Sequence, residues 1–278
     1  MALLTPDDLK NMTDDLVEND TLIHKLTGFS LDRLCSEIYK TEKKKEKIAI
    51  IPVTAGCGII GRFSESLLFT VKHFGMDGFI TKNTDVAGFY EAVMSDADIV
   101  LMADDLAFIA YNLKNKKIAH NQICTGRVYA EILCRSKTPD LVAEKKALVI
   151  GLGKVGTPAL ETLLKYGYDV SAFDADEKRV NDVISYYSKL NTGPHTDLAG
   201  RVKKYDKNAG EKFYKILEAT PALDTVPENC LKNGSLLSTP GIPCGLSKKL
   251  QEKYNVMIVQ EPLGIGTLSM LYAVFDEK

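Results

Sequence analysis

Ala147-Leu148-Val149-Ile150-Gly151-Leu152-Gly153-Lys154-Val155-Gly156 decides the reading of this chain. Four consecutive apolar residues make a strand buried on both faces. The next six form a GxGxxG turn, and helical spacing resumes over 155–166. Alone, that glycine pattern is common. Between a strand and a helix it has a mechanical reason. Gly151 permits the tight turn, Gly153 lets backbone approach a pyrophosphate, and Gly156 lets the helix pack closely on the strand. The helix N-terminus turns its free N–H groups toward the phosphates. The whole turn, Gly151, Leu152, Gly153, Lys154, Val155 and Gly156, is the candidate pyrophosphate site of a Rossmann domain.

Downstream, Asp169-Val170-Ser171-Ala172-Phe173 reads as the second strand, and Asp174 stands eighteen residues after Gly156. A carboxylate there accepts the ribose hydroxyls of an adenosine and repels a 2′-phosphate, which favours NAD over NADP. Lys178 and Arg179 follow closely and pull the other way; Arg179 is kept among the cofactor residues. Later strands are expected at Phe213–Ala219, Ser235–Ser238 and Val256–Val259, with helices at 176–189, 227–232, 246–253 and 266–275. Ala219-Thr220-Pro221 and Ser238-Thr239-Pro240-Gly241 each follow a strand, where ligands bind in open α/β sheets. Thr220, Pro221 and Thr239 are therefore expected to line the cofactor. The plainer alternative is two strand-ending turns, where Pro and Gly are common.

Upstream, residues 48–140 alternate strand and helix. Ile48–Val53 is an apolar run, followed by the glycine-rich loop Thr54–Gly61 (TAGCGIIG) and a helix over Phe63–Phe74. Gly78–Thr81 is a short strand, Asp85–Met94 a helix with Asp85 as its cap, and Asp98–Ala103 a strand ending in Asp104-Asp105. This βαβαβ rhythm implies a parallel sheet. A further helix over 125–135 joins it to the nucleotide half. Residues 1–46 read as helices: Thr5 is the expected N-cap of the first, with Pro6, Asp7 and Asp8 in its first turn, and Ser30-Leu31-Asp32-Arg33 opens a second. Thr41–Lys47 is a charged connection, and Asn191–Asp197 a loop. The expected division is an N-terminal helical and α/β substrate domain over 1–140, then a doubly wound parallel-sheet Rossmann domain over 141–278.

Composition narrows the function. A formal net charge of -2 over 278 residues carries no basic excess of the kind a nucleic-acid binder shows. The opening turns acidic before an apolar run develops, and no stretch nears the ~18 apolar residues of a membrane helix. The expected location is the cytoplasm, with neither nucleic acid nor membrane as partner. The six cysteines form no CxxC or CxxH pair, and the four histidines are dispersed, so no local spacing points to a metal.

The substrate side is less determined. Asp104 or Asp105 at a strand's carboxyl end can bind a substrate ammonium or remove its proton; either can equally cap the following element. The Thr54–Gly61 loop can receive a carboxylate on its backbone N–H groups, or be an ordinary strand-to-helix turn. Cys57 has no histidine placed to activate it. Tyr90, Tyr111 and Tyr129 read as core or surface aromatics.

Several stretches resemble the pyrrolysine biosynthesis dehydrogenases, the PylD family. They are Met1–Leu9, Ile99–Asp105, Val149–Gly156, Glu218–Pro221, Leu236–Cys244, and the tail from Glu261-Pro262-Leu263 to Met270-Leu271-Tyr272. The resemblance implies oxidation by NAD of the ornithine side-chain amine of (3R)-3-methyl-D-ornithyl-N6-L-lysine. Ring closure with loss of ammonia and water then gives L-pyrrolysine, the last step of that biosynthesis. It also implies that Asp104 handles the substrate amine and that Leu4 and Ala103 contact substrate. A homodimer is a candidate assembly, which the sequence itself does not reveal. Two other readings stay open. One is a shikimate- or amino-acid-dehydrogenase-like enzyme, which would show a Lys-Asp pair or a substrate-domain lysine; Lys82 is the only central lysine there. The other is a non-catalytic NAD-sensing module, which needs no acid at the strand end.

Overall fold

The computed structural model describes residues 4–56, 58–137, 144–189 and 200–275. The chain folds as two compact units. One comprises residues 25–28 and 129–260 and is called here the nucleotide unit; the other comprises 2–24, 29–128 and 261–278 and is called the N-terminal unit. The expected boundary at 140/141 falls outside the described residues. The observed division differs from the expected one in two ways, both with a physical cause.

First, the chain crosses between the units within one helix, α5 (Asn121–Arg135). The second half of α5 is tied into the nucleotide unit by Glu131, which is buried, pairs with Arg135 at 2.7 Å and accepts the Tyr166 hydroxyl at 2.6 Å. Second, the C-terminal helix returns to the N-terminal unit. Of the segment Gly264–Val274, every residue except Ala273 is buried. A helix apolar on all sides must be covered on all sides, and it packs on helices Leu31–Tyr39 and Phe63–His73 and strands Phe108–Asn112 and Ile118–His120. Its first turn is capped by the fully buried Glu261, which accepts the Leu263 and Ile265 N–H groups at 3.0 and 2.7 Å. Burial pushes that carboxyl above its usual range.

In the N-terminal unit, helices α1 (Met12–Thr27) and α2 (Leu31–Tyr39) precede strand β1 (Lys47–Ile51). Thr5 does not open a helix. Asp8 folds back to accept the Thr5 N–H at 2.7 Å, closing a turn, and α1 starts at Met12. Ser30 caps α2 as expected, accepting the Arg33 N–H. Then come α3 (Phe63–His73), β2 (Asp77–Ile80), α4 (Asp85–Met94), β3 (Ile99–Ala103), β4 (Phe108–Asn112) and β5 (Ile118–His120). The sheet order is β2-β1-β3-β4-β5. Strands β2, β1 and β3 are parallel, as the sequence rhythm implies. Beyond β3 the sheet turns antiparallel through a hairpin absent from the sequence reading. The cap of α4 is Thr84; Asp85 lies inside the helix at φ 55° with its carboxylate turned elsewhere.

In the nucleotide unit, β6 (Lys146–Ile150), α6 (Gly156–Lys165), β7 (Asp169–Phe173), α7 (Glu177–Lys189), β8 (Val202–Lys204), β9 (Phe213–Glu218), β10 (Leu231–Ser238), α8 (Lys248–Lys253) and β11 (Met257–Val259) follow. The order is β11-β10-β9-β6-β7-β8, every pair parallel. This is the Rossmann strand order, with its switch point between β6 and β9. The core is aliphatic and aromatic, built on Leu148, Ile150, Phe213, Ile216 and Leu237. The helix expected at 227–232 is a single 3-10 turn, Glu228–Cys230, after which β10 begins. The loop expected at Asn191–Asp197 lies outside the described residues. None of the described helices is long and apolar enough to cross a membrane.

Candidate functional site

The GxGxxG turn lies between β6 and α6, and its three glycines have three different surroundings. Gly151 has φ 88°, and a Cβ there would stand 2.7 Å from the Ala219 carbonyl oxygen. A Cβ on Gly156 would overlap the Gly151 carbonyl oxygen, so the turn closes on itself only with glycine at that place. A Cβ on Gly153 would meet nothing within 4 Å. Gly151 and Gly156 build the turn, and Gly153 leaves backbone open beside the start of α6. Val155 at the N-cap provides no side-chain bond, so the helix's first N–H groups are not capped by it. Lys154 is exposed and Leu152 buried. An open backbone facing an uncapped helix start fits a pyrophosphate.

Asp174 ends β7 with its side chain 9% exposed. It accepts the Leu152 N–H at 2.7 Å on one oxygen and the Asp176 N–H at 2.9 Å on the other. The acid is thereby oriented by the glycine turn itself, with a lone pair left on each oxygen. Arg179 is over half exposed and lies 3.8 Å from Asp174 and 3.5 Å from Asp176. Its charge is shared with two carboxylates.

The ends of β9 and β10 converge on a residue missed in the sequence reading of chemistry. Glu218, 0% exposed, accepts at Oε1 from the Thr220 N–H at 2.8 Å, from the Thr220 hydroxyl, and from the Thr225 hydroxyl at 3.1 Å. Its Oε2 accepts from the Thr239 hydroxyl at 2.8 Å. Thr239 is fully buried, so its hydroxyl serves Glu218. Thr220 is half-buried and Pro221 exposed. The one signal in the sequence is an acid closing the apolar strand Phe213–Glu218.

In the N-terminal unit, three segments meet at the ends of β1 and β3. The Thr54–Gly61 loop is anchored by Asp85, which accepts the Thr54 N–H at 2.8 Å and its hydroxyl at 2.6 Å. Those two bonds hold the Asp85 carboxyl below its usual range. The Asp105 carboxylate fills the space beside Gly56, and Pro6, two residues beyond Leu4, lies next to Gly61. Cys57 lies outside the described residues. Asp104 is exposed and turns the β3–β4 hairpin: its Oδ1 accepts the Leu106 and Ala107 N–H groups at 2.8 and 2.7 Å. Both of these donors go to Oδ1. The structure thus sets Asp105 beside Gly56 and Pro6 beside Gly61 on the glycine-rich loop. The three tyrosines separate: Tyr129 is buried, Tyr111 half-buried and Tyr90 exposed.

A parallel six-stranded sheet in this order, with a GxGxxG turn at the helix start and an acid ending the second strand, defines a Rossmann-type dehydrogenase domain. Residues 8–119 match the family described as "Pyrrolysine biosynthesis protein PylD, N-terminal domain". Curated proteins named pyrrolysine synthase are 46% identical over 274 residues. The one from Methanosarcina acetivorans is aligned over 99% of this chain and 100% of its own length. That from Methanosarcina barkeri is aligned over 99% and 98%. Among solved structures, shikimate 5-dehydrogenase from Thermus thermophilus superposes with a TM-score of 0.48 at 12% identity, over 84% of this chain and 94% of that one. The chain belongs to the pyrrolysine synthase family.

Proposed function

We propose that this protein oxidises the ornithine side-chain amine of (3R)-3-methyl-D-ornithyl-N6-L-lysine with NAD, and that ring closure on the product yields L-pyrrolysine. The observation that carries this reading is the end-to-end identity with pyrrolysine synthases, joined to a Rossmann turn whose Gly153 backbone is open. NAD bound at that turn supplies the hydride acceptor. Gly153 and the start of α6 receive its pyrophosphate, and Asp174 receives the adenosine ribose.

The chain's own chemistry is proton transfer and orientation. The substrate amine has a pKa near ~10 and arrives as an ammonium. Hydride leaves its carbon only once nitrogen carries a lone pair to form the C=N bond. Asp104 takes that proton as general base. Its Oδ1 is held by the hairpin turn, which fixes the direction of the carboxylate. Leu4 and Ala103 hold the substrate beside it. The α-amine then adds to the C=N carbon and ammonia leaves. Both groups sit on one short chain, so proximity suffices.

The test is to mix the protein, NAD and the synthetic amide, and to follow reduced cofactor and pyrrolysine together. Equal amounts of both support the proposal. Reduced cofactor with no pyrrolysine would leave a dehydrogenase of another product, and neither would leave a cofactor-binding protein without this activity.

A further inference from the structure

We propose that Glu218 is the positioning residue of the nicotinamide half of the cofactor site, and that its buried negative charge favours the oxidised cofactor over the reduced one. The inference rests on the NAD reading above. In a Rossmann sheet the first three strands serve the adenosine half, and the strands past the switch point serve the nicotinamide half at their carboxyl ends. Here those ends are Ala219-Thr220-Pro221 after β9 and Thr239-Pro240-Gly241 after β10. Glu218 joins them, through Thr220 on one side and Thr239 on the other. The fit is tight. A Cβ on Gly241 would stand 2.8 Å from Glu218 Oε2, and one on Gly245 would stand 2.8 Å from its Cδ.

An acid placed only to tie loops could be replaced by a neutral acceptor, because the Thr220 N–H and the hydroxyls of Thr220, Thr225 and Thr239 are all neutral donors. Burying a carboxylate among neutral partners is costly, and its field is felt strongly in a low-dielectric surrounding. That field reaches Cys244, whose thiol is pushed up by burial and, in part, by Glu218. The same field acts on whatever occupies the strand ends. A nicotinamide ring is cationic when oxidised and neutral when reduced, so the carboxylate holds the first more tightly.

The test compares dissociation constants for NAD, NADH and ADP-ribose, which lacks the nicotinamide, in the full-length protein. Glu218→Gln keeps the shape and removes the charge. It should weaken NAD by about 5-fold or more relative to NADH and leave ADP-ribose unchanged. Thr239→Val keeps the charge and loosens one loop: it should weaken NAD and NADH in parallel and spare ADP-ribose. Should Glu218→Gln not fold, Thr239→Val and Thr225→Val decide, and unchanged NAD affinity in both overturns the proposal. Equal loss of all three ligands in Glu218→Gln would make Glu218 a merely structural residue. Equal loss of NAD and NADH alone would remove the charge effect. If the unaltered protein binds neither NAD nor ADP-ribose, the cofactor reading itself fails.

Discussion

Two glycine-rich turns leave the carboxyl ends of buried parallel strands in this chain, and they are built on different principles. The turn after β6 is made by backbone. Gly151 and Gly156 are dictated by contacts with carbonyl oxygens, and the helix begins inside the motif. The turn after β1 is made by side chains from elsewhere. Asp85 pins Thr54, Asp105 fills the space beside Gly56, and Pro6 lies against Gly61, while Gly58 at φ 82° faces open space. A backbone cradle can receive any dinucleotide pyrophosphate. A loop propped by distant side chains can be shaped for one substrate.

The largest expected effect breaks the first turn. Gly156→Val forces a Cβ into the Gly151 carbonyl oxygen. It should cost about 3 kcal/mol or more of stability, at the upper end for an overpacked site, and abolish NAD binding; a thermal melt and a titration check both. Asp104→Asn comes next, with turnover lowered about 10²-fold, the low end for a lost general base. Turnover should also rise more steeply with pH than in the unaltered protein, because the free amine then forms only by losing its proton to solvent, below a pKa of ~10. If Asp105→Asn abolishes turnover while Asp104→Asn keeps it, the wrong aspartate has been assigned. Gly153→Val sharpens the contrast inside one motif. Its Cβ meets nothing in the fold, so the melting temperature should hold while NAD weakens about 10-fold, comparable to losing one good hydrogen-bonded contact.

Smaller effects follow. Asp174→Ser should narrow the preference for NAD over NADP, with Arg179 then free to meet a 2′-phosphate; comparable use of the two cofactors before substitution would contradict the assignment. A last effect concerns strand β9. Lys215 on β9 is buried, with its Nζ 2.5 Å from the Tyr168 hydroxyl, and desolvation pulls its pKa down from 10.5 to about 8. A lysine depressed in the fold destabilises while the unfolded chain holds the proton, and that cost is relieved as pH rises from about 8 toward 10.5. Denaturant midpoints should therefore rise in the unaltered protein relative to Lys215→Leu across that window.

What the sequence made legible follows the same contrast. The β6–α6–β7 unit was readable because strand period, glycine spacing and the acid at 174 lie within about thirty residues, the length of one βαβ unit. The propping of the Thr54–Gly61 loop was not, because Pro6, Asp85 and Asp105 reach it only through the fold. The β3–β4 hairpin was hidden for a related reason. The turn Asp104–Ala107 carries no glycine and is closed by an aspartate side chain. Strand β8 spans three residues, too short to show alternation. The buried helix Gly264–Val274 was found, but its unit was not: an all-apolar face shows that a helix is covered and not by which half of the chain. Glu218 ends a strand that is otherwise mostly buried, and its four donors come from three later positions.

The proposed function assigns cofactor binding to the backbone turn and chemistry to the strand end at Asp104. The most direct test is the dissociation constant for NAD measured by calorimetry in Asp104→Asn and in Gly153→Val, set beside their turnover at saturating NAD. The expected result is an unchanged constant with lost turnover in the first, and a weakened constant with largely restored turnover in the second. An Asp104→Asn protein that loses NAD affinity in step with turnover would contradict this division.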